Sequence, residues 1–168
     1  MTAKREFPRL IDALEALYGA PEPPPTRDPF ELVLWENVAY LAGDERREQA
    51  FRALKTRVGT QPQMILAASP ELLQEIAASG GGILAEKQAG KLERCAEIAM
   101  EELDGDVSRI ATLPRASALK LLMKFPSIGR PGAEKILMLS GLQPVLALDS
   151  NGLRVLLRLG YGSEQKSY

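Results

Sequence analysis

Residues 125–136 read FPSIGRPGAEKI, and the fold is decided there. Phe125 closes an apolar segment, Pro126 to Gly129 make a tight turn, and from Arg130 the pattern becomes helical. Proline fixes φ and has no N–H, so Pro126 stops the segment before it. Gly129 is predicted to supply a positive φ. Pro131 suits the first turn of the next helix, where a missing N–H costs nothing. The free N–H groups of that turn then point outward at the positive end of the helix dipole. Such an arrangement holds a phosphate without reading a base. Ser127, Ile128 and Gly129 form the turn itself, and Lys124, Arg130 and Lys135 add charge in or beside it. A plain corner between two helices has the same outline, so the neighbouring segments must decide.

Outward from the turn, almost every segment carries the helical period. PRASALKLLMKF precedes it and PGAEKILMLSGL contains its second half, which is the pattern of a helix–hairpin–helix motif over 114–141. REFPRLIDALEALYG sets Leu10, Leu14 and Leu17 on one face. PEPPPTRDP at 21–29 is a stiff, proline-rich connector. Phe30 to Leu41 reads as a helix with Leu34, Val38 and Leu41 in register, and Asp44 reads as the cap of the next. SPELLQEIAASGGG opens on Ser69 as N-cap with Pro70 behind it, and stops in three glycines. AEKQAGKLERCAEIAMEEL is a long helix despite Gly90, and SNGLRVLLRLGY is a final one. No strand alternation appears. The expectation is an all-α helical bundle: an N-terminal helix at 1–20, the connector, a helical domain at 30–161, and a tail at 162–168.

Composition limits the chemistry. The 168 residues include one cysteine and no histidine. A disulfide within the chain, a cysteine/histidine zinc site and a four-cysteine iron–sulfur cluster are therefore excluded for this sequence. Acid–base work falls to carboxylates, lysine or tyrosine. No apolar run approaches a membrane span, and the N-terminus lacks a secretory pattern, so the expected setting is cytoplasmic and intracellular. Net charge is −1, unevenly spread: residues 114–168 carry +5 and residues 1–113 carry −6. A basic C-terminal third suggests a surface facing a polyanion. Chance segregation on solvated faces would look the same. Asp149, after the apolar LAL at 146–148, reads as the N-cap of the last helix, a place that also suits a catalytic carboxylate.

The segment LMKFPSIGRPGAEKILML, followed by LALDSNGLRVLLRLGY, resembles the helix–hairpin–helix–Gly/Pro–Asp superfamily of DNA glycosylases, with endonuclease III and the adenine DNA glycosylases as the nearest types. That family has a Leu-Pro-Gly-Val-Gly hairpin, a Val-Asp-Thr-His segment and an Arg-Val-x-x-Arg-Leu helix. Here Phe125 to Gly129, Leu148 to Asn151 and Arg154 to Leu159 stand in the same order. RDPFELVLWENVAYL and ASGGGILAEKQAGKL are similar to its upstream helix and glycine turn, so the resemblance covers roughly 27–161.

The resemblance implies double-stranded DNA as partner, a flipped base, and cleavage of the N-glycosidic bond in base-excision repair. It gives Asp149 the role of stabilising charge on the deoxyribose and placing water. Glu36 would protonate the departing base, and its apolar neighbourhood is expected to keep a proton on it. Tyr40 and Leu41 stand near where relatives fill the gap left by the base, and Ile83 matches an apolar wedge. Bifunctional members carry a nucleophilic lysine directly after the Gly-Arg of the hairpin. Here Pro131 stands there, and Lys135 lies a turn further on, which implies a monofunctional enzyme without lyase activity. Ser127 replaces the hairpin's first glycine, and the iron–sulfur loop is absent, so no cofactor is expected beyond room for a monovalent cation at the hairpin carbonyls. The family's C-terminal part is missing from the pattern. Residues 1–20 are accordingly expected to expose leucines and to favour self-association. Two alternatives stay open: a DNA-binding module that kept the hairpin and lost catalysis, and an unrelated helical interaction domain.

Overall fold

The computed structural model describes residues 7–81, 84–144 and 146–163. All regular structure among them is helical: α1 (Phe7–Tyr18), α2 (Pro29–Asn37), α3 (Asp44–Arg57), α4 (Pro62–Ala67), α5 (Pro70–Ser79), α6 (Ala85–Leu103), a 3-10 helix (Val107–Thr112), α7 (Arg115–Leu122), α8 (Arg130–Leu139) and α9 (Ser150–Arg158). They fall into two compact units. Pro25–Ala147 forms the larger, while Met1–Pro24 and Leu148–Tyr168 form the smaller. The sequence boundary between the two units falls at Leu148, within the expected 30–161 domain.

The larger unit is built around α2. Asp28 caps it by accepting the Glu31 N–H at 2.8 Å, with Pro29 at its start. Phe30, Leu32, Val33 and Leu34 are buried in succession, so apolar side chains surround the helix instead of lining one stripe. Its end differs from the sequence expectation. The helix stops at Asn37, whose side chain donates to the Val33 carbonyl at 2.9 Å. Leu41 lies beyond it, with φ of 51° and 79% exposure, and is not in register with Leu34. Asp44 likewise is no cap: Gly43 takes that position and Asp44 begins α3, where its charge meets the positive end of the dipole. Ser69 does cap α5, accepting the Leu72 N–H at 3.2 Å.

Helix α6 packs against α4, α5 and α2 through Leu92, Cys95, Ala96 and Ala99, all fully buried. Gly90 is tolerated because it sits on the exposed face, with open space around it. Asp104 and Gly105 end the helix in left-handed conformations. Helices α7 and α8 pack on each other, and α8 packs on α2. Phe125, between them, lies 5.9 Å from Phe30, ring to ring, and ties the hairpin to the core.

In the smaller unit, Phe7 meets Tyr161 edge-on at 5.7 Å. Neither α1 nor α9 has a buried residue, and Leu14 and Leu17 are 40% and 72% exposed. Truncation therefore has opposite consequences in the two units. Phe125→Ala removes a buried ring and costs about 3–5 kcal/mol of stability, while Leu17→Ala stays within about 0.5 kcal/mol. Urea unfolding followed by circular dichroism measures both.

Candidate functional site

The hairpin turn has the expected outline but a different backbone. Ser127, not Gly129, is left-handed, with φ of 61°. Gly129 is extended, at φ −84° and ψ −178°, and forms the N-cap of α8. The reason lies in what flanks Ser127. Phe125 and Ile128 are both buried, and the Ile128 N–H donates to the Phe125 carbonyl at 3.2 Å, so the reversal falls between them. Gly129 needs no special φ, and a Cβ there would meet only Pro131 Cδ at 3.9 Å. Neither conformation nor internal packing demands glycine at this position. Its lack of a side chain leaves the backbone open instead. The amides of Gly129, Arg130 and Gly132 find no acceptor among the described residues, and the helix ladder starts with Ala133 donating to Gly129 at 2.9 Å.

The three cations read from the sequence are each met by a carboxylate. Lys124 pairs with Glu102 at 2.7 Å, Arg130 with Glu134 at 3.3 Å and Lys135 with Glu36 at 2.6 Å. The last pair joins α8 to α2 and brings together two residues that the sequence reading kept separate. Glu36 therefore does not stand alone in an apolar wall; an ammonium stands against its carboxylate. The Glu36 side chain is 22% exposed.

A fourth cation was not found from sequence. Lys91, on α6, donates to Ser127 Oγ at 2.8 Å and lies over the Tyr40 ring at 5.7 Å. Burial first, and then repulsion from Lys87 one turn back, hold its ammonium below the ordinary lysine value. The like-charged spacing of Lys87 and Lys91 was visible in the sequence, but not the turn it faces. Tyr40 is half-exposed. Ile83 lies outside the described residues.

Asp149 belongs to the smaller unit. It caps α9, with Oδ1 accepting the Gly152 N–H at 2.7 Å, and it is exposed. Its Oδ2 has no partner among the described residues. No cluster of three or more candidate metal ligands occurs among the described residues. Cys95, the sequence's one cysteine, is buried in the core, and burial pushes its thiol far up. The residues present do not fit a four-thiolate cluster. No helix among the described residues is long and apolar enough to cross a membrane.

These elements define an all-α fold of the endonuclease III type that contains a helix–hairpin–helix. The chain superimposes on a non-covalent Endonuclease III–DNA complex with a TM-score of 0.73 and 23% identity, covering 99% of this chain and 73% of that one. A trapped Endonuclease III–DNA covalent intermediate, an estranged-adenine complex, gives 0.70 and 22%, covering 99% and 74%. In sequence the chain is similar to Endonuclease III of Thermotoga maritima, 28% identical over 134 residues, 80% of this chain. It spans 58% of that relative's length. No protein-family profile matches the chain.

The cap and the carboxylate of Asp149 are separable. Asp149→Ala costs about 1 kcal/mol, because the Gly152 amide loses its acceptor, whereas Asp149→Asn keeps the cap and leaves stability unchanged. Denaturant melts of the two variants check this.

Proposed function

We propose that the chain is, or is part of, a monofunctional DNA glycosylase that hydrolyses the N-glycosidic bond of a flipped, damaged or mismatched base in duplex DNA. One observation carries the reading most: a hairpin whose glycine has no conformational duty, leaving three backbone amides open at the start of α8. Open amides at the positive end of a helix suit a phosphate oxygen. The likeness to structures of Endonuclease III on DNA supports the same ligand.

In this reading Asp149 is the catalytic carboxylate. As C1′ loses the base it gains positive charge, and an ionised carboxylate stabilises that charge. Oδ1 stays with the Gly152 amide, which fixes the side chain, while Oδ2 faces the sugar and the incoming water. Water adds to C1′, the C1′–N bond breaks, and the base leaves with a proton. Glu36 is assigned to deliver that proton, which requires its carboxylate first to leave Lys135 and take the proton up. Engagement with Glu36 also argues against Lys135 as a nucleophile. Pro131 has no amine to offer where a lyase needs one. Tyr40 is assigned to stacking on DNA, as a half-exposed ring.

A second reading, a non-catalytic DNA-binding module, draws on Pro131 and Ser127, both departures from the enzyme pattern. A panel of duplexes with damaged or mismatched bases separates the two. Base release by the wild type, lowered about 100-fold or more by Asp149→Asn with duplex binding retained, is the expected result. Equal release by Asp149→Asn contradicts the assignment, and a borohydride-trapped adduct contradicts monofunctionality, since only an amine gives a reducible imine.

A further inference from the structure

Lys124, Arg130 and Lys135 each have a carboxylate within ion-pair distance. Lys91 makes no ion pair among the described residues, although it is partly buried and touches the turn itself. Its ammonium has three donors. One goes to Ser127 Oγ at 2.8 Å, and its charge lies over the face of Tyr40, an attraction that does not neutralise it. The cost of its partial burial, raised further by Lys87, is therefore met by no opposite charge. An anion docked beside the turn would supply one. Ser127 completes the arrangement. Its oxygen accepts from Lys91, so its own hydroxyl proton remains free to donate. The serine that replaces a hairpin glycine thus adds a donor and anchors a cation.

We propose that Lys91 binds a DNA backbone phosphate at the hairpin turn, jointly with the Ser127 hydroxyl, and is the turn's principal cation. The proposal rests on the DNA reading above. It assigns the electrostatic contact to a residue on α6, outside the hairpin, with Tyr40 setting the direction of the ammonium. The ion-paired cations contribute less, because each must first give up a carboxylate.

Binding of a short unmodified duplex, followed by fluorescence anisotropy from roughly 50 to 200 mM salt, tests it. Lys91→Met should make the slope of log K against log salt shallower by about 0.9, one phosphate contact, and weaken binding about tenfold at the low end. Lys91→Arg should restore the slope, and Lys55→Met, on α3 and outside the hairpin, should leave it unchanged. If Lys91→Met loses its helical circular dichroism, Lys91→Gln repeats the test. The same slope change should occur in a Ser127→Gly background. If it vanishes there, Lys91 only holds the turn and the proposal is overturned. A Lys91→Met slope equal to wild type overturns it as well, with the DNA reading intact. A wild type whose duplex binding ignores salt removes the DNA reading, and the role of Lys91 with it.

Discussion

Phe125 and Ile128 both reach the core, and the chain between them must reverse within a single residue. Ser127 absorbs that reversal at φ 61°, a conformation that costs a non-glycine residue roughly 1–2 kcal/mol. The cost is met by the two apolar anchors, by the Phe30–Phe125 contact and by the Lys91 hydrogen bond. With Ser127 so placed, Gly129 can be extended and α8 can start with its amides facing outward. The direction of α8, its contact with α2 and the Lys135–Glu36 pair all follow from that start. Strain kept at one exposed position by rigid surroundings is a frequent mark of a binding site.

Charge balance around the turn has its own logic. A chain of net charge −1 does not attract a polyanion as a whole. Here the hairpin cations are held by carboxylates on Glu102, Glu134 and Glu36. Partly exposed pairs of this kind contribute little to stability, yet each must open before its cation can meet a phosphate. Glu36 holds two relations in turn. It ties α2 to α8 through Lys135, and the glycosylase reading gives it the proton for the departing base.

Local features were legible in the sequence. Ser69 and Asp149 were readable as caps, because a cap needs only its own residue and the next three. The bounds of α6 and the start of α8 followed from period and proline. What failed was what the tertiary structure decides. Gly129 carried the expectation of a positive φ because glycine permits it, but the burial of Phe125 and Ile128 moved the reversal to Ser127. Leu41 fitted the helical period, yet α2 ends at Asn37, whose side chain turns back on the Val33 carbonyl. Lys91 was invisible as a site residue because its partner lies 36 residues away. The carboxylates on the hairpin cations were hidden for the same reason, apart from Glu134, one turn from Arg130.

In the glycosylase reading, open backbone amides at the hairpin hold DNA. At 18.3 kDa the chain suits amide-resolved nuclear magnetic resonance. Titration with an unmodified duplex should shift the amides of Gly129, Arg130 and Gly132 most strongly. Saturating duplex that moves other amides and leaves these three in place would contradict the proposed phosphate grip.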